Sequence, residues 1–256
     1  MTTQALAADL RDEVVVVTGG SRGIGAGSAR RFAQLGAAVV VSGRDQAAID
    51  AVVASITSTG GRAIGIPADC TSEEQVDALL AGTEGAFGPA TVLLAFAGGD
   101  GRPEPITQLD ASRWCAVIDT NLTATYITIR TFALGMVERR RGSIVTMSST
   151  AGRQPGGASV AYAAAKAGIL MLTRHLAVDL APNGVRINCI APSAIETERL
   201  VQNMPAPARE QLAQSFPLRR LGTVDDVADS AVFLATAQSS WITGVTIDLT
   251  GGRITG

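Results

Sequence analysis

The sequence predicts an α/β protein, a doubly wound parallel sheet of about seven strands flanked by helices on both faces. Three observations predict it. Short apolar runs without alternation, such as Val14-Val15-Val16-Val17, suit strands buried on both faces, which parallel sheets produce. These runs alternate with stretches of helical periodicity long enough for right-handed crossovers. The chain has 256 residues, 46% hydrophobic and 17% charged, with no Pro/Ser-rich linker or charge run to divide it, so one domain over 1–256 is expected.

The first run ends in Thr18-Gly19-Gly20. From Ile24 to Leu35 the spacing turns helical and Gly36 serves as a C-cap, so 37–41 reads as a second buried strand. Further helices are predicted over about 46–59, 72–87, 111–139, 160–180 and 224–235, and strands near 63–67, 91–95, 143–147, 185–190 and 245–249. The stretch 192–217 reads as irregular. Its Pro205, Pro207 and Pro217, with Leu200, Met204, Leu212 and Phe216, predict a mobile apolar lid over 193–217. Ligands of such sheets bind beyond the carboxyl ends of the strands, so chemistry belongs in the loops after Val17, Val41, Ala95, Met147 and Ile190.

Composition removes several classes of function. With 21 Lys+Arg against 23 Asp+Glu, the chain lacks the basic excess of a nucleic-acid binder. Cys70, Cys115 and Cys189 are odd in number and far apart, which fits neither a disulfide framework nor paired metal ligands. A cytoplasmic protein without a metal site is expected. Asp9, Arg11, Asp12 and Glu13 stand where a signal peptide needs an apolar core, and no run of about eighteen apolar residues offers a membrane span. The single histidine, His175, lies among Leu172, Leu176 and Leu180 and reads as a structural helix residue.

The loop Thr18-Gly19-Gly20-Ser21-Arg22-Gly23-Ile24-Gly25 joins the first strand to the first helix. Glycines allow a tight turn and close approach of backbone to ligand, and a helix N-terminus offers N–H groups to a pyrophosphate. The identity of the nucleotide is read at Ser42-Gly43-Arg44-Asp45. An NAD site sets an acid on the ribose hydroxyls, whereas an NADP site sets a guanidinium on the 2′-phosphate. Gly43 occupies the position of the expected acid, and Arg44 follows it, with Arg22 in the glycine loop as a second guanidinium. Asp45 stands before Gln46-Ala47-Ala48-Ile49, where it serves more economically as a helix N-cap. NADP(H) is therefore favoured over NAD(H).

Tyr162 and Lys166 are four apart at the start of a predicted helix, on one face, and Ser149 follows the strand 143–147. A nearby ammonium favours the phenolate and lowers a phenol's pKa, which makes Tyr162 a candidate proton donor to a carbonyl that Ser149 could hold. The ordered set of Thr18-Gly19, Tyr162/Lys166, Ser240-Trp241-Ile242-Thr243-Gly244 and Gly251-Gly252 resembles the short-chain dehydrogenase/reductase family over nearly the whole chain. Its 3-oxoacyl-[acyl-carrier-protein] reductases are the nearest in type.

That resemblance implies a Rossmann fold and a catalytic set of Asn121, Ser149, Tyr162 and Lys166, with Asn121 holding a water that links Lys166 to solvent. It implies that Lys166 also binds the nicotinamide ribose beside Tyr162 and that Asp69 meets the adenine. Cys70, Ala97, Gly98, Pro192 and Ile195 are further implied cofactor neighbours. Two departures stand out. Ala95-Phe96-Ala97-Gly98 replaces the family's Asn-Asn-Ala-Gly, so other hydrogen bonds must hold that strand end, and Pro192-Ser193 replaces a Pro-Gly pair.

The resulting expectation is NADPH-dependent reduction of a ketone, 3-oxoacyl-type or another small carbonyl, to a secondary alcohol. The rivals are an NAD-dependent dehydrogenase of secondary alcohols or sugars, and a non-catalytic nucleotide-binding regulatory protein. Substrate choice is expected in 100–107, 151–159 and 193–217, favouring an uncharged or partly apolar ketone. An acyl carrier protein would need a basic dock; Arg139-Arg140-Arg141 reads instead as a solvated charge cluster. Ile127, Phe132, Leu170 and Leu172 suggest apolar helix faces in excess of one chain's needs, and the family commonly pairs these helices, so a homotetramer is expected.

Overall fold

The computed structural model describes residues 10–99 and 101–254, so Asp9 and Asp100 lie outside the described residues. The first half runs β1 (Val14–Thr18), α1 (Gly23–Gln34), β2 (Ala38–Gly43), α2 (Gln46–Thr57), β3 (Arg62–Pro67), α3 (Glu73–Phe87) and β4 (Val92–Ala95). The second runs α4 (Ala111–Ile118), α5 (Ala124–Glu138), β5 (Gly142–Met147), α6 (Val160–Leu180), β6 (Val185–Pro192), α7 (Glu198–Asn203), α8 (Ala206–Gln214), α9 (Val224–Ala235) and β7 (Thr246–Leu249). The seven strands form one sheet in the order β3-β2-β1-β4-β5-β6-β7, and every pairing is parallel.

Alternation along each strand feeds a core on either face of the sheet. Val15 and Val17 join Phe32 of α1, Ile49 of α2 and Val227 of α9, whereas Val16 joins Leu79 of α3 and Phe132 of α5. Burial on both faces explains the unbroken apolar run of β1. The order reverses between β1 and β4, where a crevice opens beyond the strand ends.

Three expectations need correction. The helix expected over 111–139 is interrupted by a π-helical turn, Asp119–Thr123, where Thr125 Oγ1 donates to Asn121 O and Asn121 Nδ2 donates to Val117 O. The stretch 193–217 is not irregular, because it carries α7 and α8. Thr197 caps α7 through the Leu200 N–H, while Pro205 and Pro207 sit at the start of α8, where a missing N–H costs nothing. Finally, Ile127, Phe132 and Leu170 are buried within the chain and Leu172 is half-buried against its core, and the outward apolar side chains of α4, α5 and α6 are instead Trp114, Tyr126, Leu134, Val160, Met171 and Val178.

The arginine run is consumed locally. Arg139 approaches Glu84, Arg140 donates to Pro182 O and Arg141 pairs with Glu13 at 2.7 Å. His175 is exposed on α6. No helix among the described residues is long and apolar enough to cross a membrane.

Candidate active site

The glycine loop bends where only glycine fits. Gly19 takes φ +65°, and a Cβ there would lie 2.7 Å from Phe96 O; one at Gly25 would lie 2.1 Å from Gly19 O. The start of α1 has no capping side chain and no acid in its first turn, which leaves its N–H groups free for an anion. Across the crevice the β4 end is held without the family's asparagines. Thr18 Oγ1 accepts from Ala97 N–H, and Asn121 clasps Gly99, taking its N–H at 2.9 Å and donating to its carbonyl at 2.9 Å. Phe96 turns into the core.

At the end of β2, a Cβ on Gly43 would lie 2.9 Å from Ser21 Oγ, so a side chain there would turn the Ser21 hydroxyl aside. Asp45 caps α2 through the Ala48 N–H at 3.0 Å, and its other oxygen takes Arg22 at 2.6 Å. That guanidinium, with the cap, holds the Asp45 carboxyl below the usual range. Arg22 is thus already engaged. Arg44 is exposed and near Asp69, whose carboxyl is lowered chiefly by the Thr71 N–H and hydroxyl. Cys70 is buried behind Asp69, and burial pushes its thiol up. Ser72 caps α3.

The catalytic candidates converge where β4, β5, the π turn and α6 meet. Lys166 is 3% exposed, donates to Met147 O at 2.9 Å and lies 5.5 Å from the Tyr162 ring centroid. Burial pushes its ammonium down to about 8. A Cβ on Gly98 would fall 2.7 Å from Asn121 Oδ1 and 3.3 Å from Lys166 Nζ, so Gly98 borders both groups and has no room for a side chain. The expected lowering of Tyr162 by Lys166 is not found. Burial raises the phenol, opposed by the Ser149 hydroxyl and more weakly by Arg199, so Tyr162 holds its proton. The Asn121 carbonyl is taken by Thr125, and its amide by Gly99 and Val117.

Ser149 heads a short 3-10 turn, Thr150–Gly152, and Pro192 and Ile195 bracket the exit from β6, with Ile195 bridged to Gly222. Sequence reasoning missed three supports. Thr18 bridges β4 to the loop after it, Ser148 Oγ donates to Lys166 O at 2.7 Å, and the charge of Arg199 on α7 is near enough to favour the Tyr162 phenolate weakly. Only the first lay inside a motif.

A parallel sheet with a glycine-lined crevice and a Ser/Tyr/Lys cluster defines a nucleotide-dependent oxidoreductase. Residues 19–253 match the family described as Enoyl-(Acyl carrier protein) reductase. A cis-4-hydroxycyclohexanecarboxylate dehydrogenase of Sinomonas cyclohexanicum is 36% identical over 94% of this chain and 96% of its own. A 3-oxoacyl-[acyl-carrier-protein] reductase of Synechocystis sp. is 36% identical over 96% and 98%. The structure of a 3-oxoacyl-[acyl-carrier protein] reductase with bound NAD from Brucella melitensis superposes with a TM-score of 0.88 at 32% identity, covering 100% of this chain and 97% of that one. The chain belongs to the short-chain dehydrogenase/reductase family, NAD(P)-dependent oxidoreductases acting on carbonyl and alcohol groups.

Proposed function

We propose that this protein reduces a ketone to a secondary alcohol with NADPH, Tyr162 acting as general acid. The observation that carries the reading is the cluster at the strand ends in which the Ser149 hydroxyl meets the Tyr162 phenol, Lys166 lies 5.5 Å from that ring, and Gly98 borders Lys166. The fit of a dinucleotide rests on the cradle that a Cβ at Gly19 or Gly25 would fill and on the uncapped start of α1. Gly19, Ser21, Gly23, Ile24 and Gly25 would hold its pyrophosphate; Arg44, Asp69, Cys70, Ala97 and Gly98 its adenosine; Tyr162, Lys166, Pro192 and Ile195 its nicotinamide half. When bound, it supplies hydride to the carbonyl carbon.

The chain's own residues do the rest. Ser149 fixes the carbonyl oxygen by hydrogen bonding, and Tyr162, which keeps its proton in this buried setting, donates it to that oxygen. Lys166, charged below about pH 8 and 5.5 Å from the Tyr162 ring centroid, binds the ribose. Asn121, which clasps Gly99, holds the water that links Lys166 to solvent. Residues 193–217 form the substrate lid. The relatives named for a cyclic hydroxy acid and for a 3-oxoacyl carrier both suit a ketone/alcohol pair. The protein acts as a cytoplasmic homotetramer.

The test is oxidation of NADPH and NADH with a panel including ethyl acetoacetate and 4-oxocyclohexanecarboxylate. Tyr162→Phe should bind cofactor as wild type does, by fluorescence titration, and lose roughly 10²-fold or more in kcat. Near-normal turnover would remove Tyr162 from the mechanism. Arg44→Ala should raise KM for NADPH by roughly tenfold to a hundredfold and leave NADH nearly unchanged. Arg22→Ala should do less, because its guanidinium is held by Asp45. A wild type that prefers NADH would refute the cofactor assignment.

A further inference from the structure

We propose that Arg153 and Asp248 form a tether that aims the Ser149 hydroxyl, making edge strand β7 part of the catalytic apparatus; the inference rests on the proposed role of Ser149. Ser149 belongs to a single 3-10 turn. Its Oγ accepts from Ala151 N–H at 3.2 Å, Gly152 N–H donates to Ser149 O at 2.9 Å, and Arg153 N–H donates to Thr150 O at 2.9 Å. A turn this short has poor hydrogen-bond geometry and little stability of its own, so its orientation depends on what grips it from outside.

Three anchors do so. On one side the turn lies flat against α6 at the catalytic lysine itself, where a Cβ on Gly152 would fall 2.6 Å from Lys166 C and 2.7 Å from Ala167 N. A second holds its leading end, where Ser148 donates its hydroxyl to Lys166 O at 2.7 Å and its N–H to Ile190 O at 2.8 Å. The third holds its trailing end. Arg153, the residue that closes the turn, reaches Asp248 on β7 at 2.9 Å, with the two side chains only 21% and 18% exposed. Asp248 is paired in register with Ala191 of β6, so the far end of the tether is fixed in the sheet.

The surroundings make this pair more than a surface ion pair. Arg153 Nε and Asp248 Oδ1 are closed off without any hydrogen-bond partner, so neither group has a substitute if its partner is lost. Removing Arg153 frees the trailing end of the turn and strands Asp248. The expected consequence is a Ser149 hydroxyl that no longer meets the carbonyl oxygen in register with Tyr162.

A double-mutant cycle separates positioning from bulk stability. The probe is whichever ketone of the panel wild type reduces fastest. Arg153→Met should lower its kcat by about tenfold, the scale expected of a misaligned group, and leave the cofactor Kd unchanged. In a Ser149→Ala background the same substitution should change kcat by less than about twofold, since there is no hydroxyl left to aim. Arg153→Lys, which keeps the charge, should recover most of the loss and covers the case in which Arg153→Met folds poorly. Hydrogen exchange should quicken at 149–154 in Arg153→Met while α6 keeps its protection. Equal losses in both backgrounds, an unchanged kcat or unchanged exchange would overturn the tether. Full activity in Ser149→Ala would instead refute the role of Ser149.

Discussion

Lys166 carries the sharpest conflict between stability and chemistry. An ammonium at 3% exposure with a single carbonyl partner is poorly solvated, and its pKa falls from the 10.5 of a free lysine to about 8. Because the folded value lies below the unfolded one, this group's contribution to stability is fully present above about pH 10.5 and is lost as pH falls through 8. Lys166→Met should therefore stabilise the cofactor-free protein at pH 7 by about 2 kcal/mol, the desolvation relieved less the hydrogen bond to Met147 O, while abolishing turnover. Calorimetry should show a raised Tm at pH 7 and a smaller rise at pH 9.5. A variant less stable at both values would mean that the ammonium is better solvated than its burial implies.

At the scale of elements, the π turn is what lets Asn121 serve both fold and site. The extra residue turns a fully buried amide toward Gly99 and Val117, and the freed Asn121 carbonyl is taken by the Thr125 hydroxyl. Asn121→Ala would leave both polar groups of Gly99 and the Val117 carbonyl without that partner, at a cost of about 2–4 kcal/mol. Urea denaturation should register this as a lower midpoint with an unchanged m-value, and an unchanged midpoint would show that water replaces the amide. The sequence made the strands legible because β1, β2 and β4 are apolar on both faces, and it made Tyr162 and Lys166 legible because four residues is one helical turn. It could not make the π turn legible, since one extra residue barely shifts the apolar period across 111–139. Helix α8 was hidden by Pro205 and Pro207, which break a helix inside but not at its start. The Arg22–Asp45 pair and the aim of Lys166 at Met147 are tertiary facts, written in no local pattern.

For the whole molecule, several large apolar side chains of the described residues stay exposed, and two groups of them stand out. Leu134 on α5 and Met171 and Val178 on α6 are 65%, 51% and 74% exposed, beside Trp114 and Tyr126. Apart from these, Trp241 is 99% exposed just before β7, with Val245 and Leu218 also outward. Scattered apolar side chains are ordinary on a monomer, but a Trp left wholly in water and a run of apolar residues on adjoining helices mark surfaces built to be covered. Two separate surfaces, each meeting its own copy about a twofold axis, close into a tetramer, whereas one alone gives only a dimer. Light scattering at micromolar concentration should therefore return about four times the chain mass. Leu134→Glu with Met171→Glu should reduce it to about twice the chain mass, because the Trp241 surface survives, and adding Trp241→Ser should yield monomers. A wild type that scatters as a monomer would mean that these side chains are simply exposed, and that β7, whose Asp248 tethers the Ser149 turn, is a free sheet edge in solution.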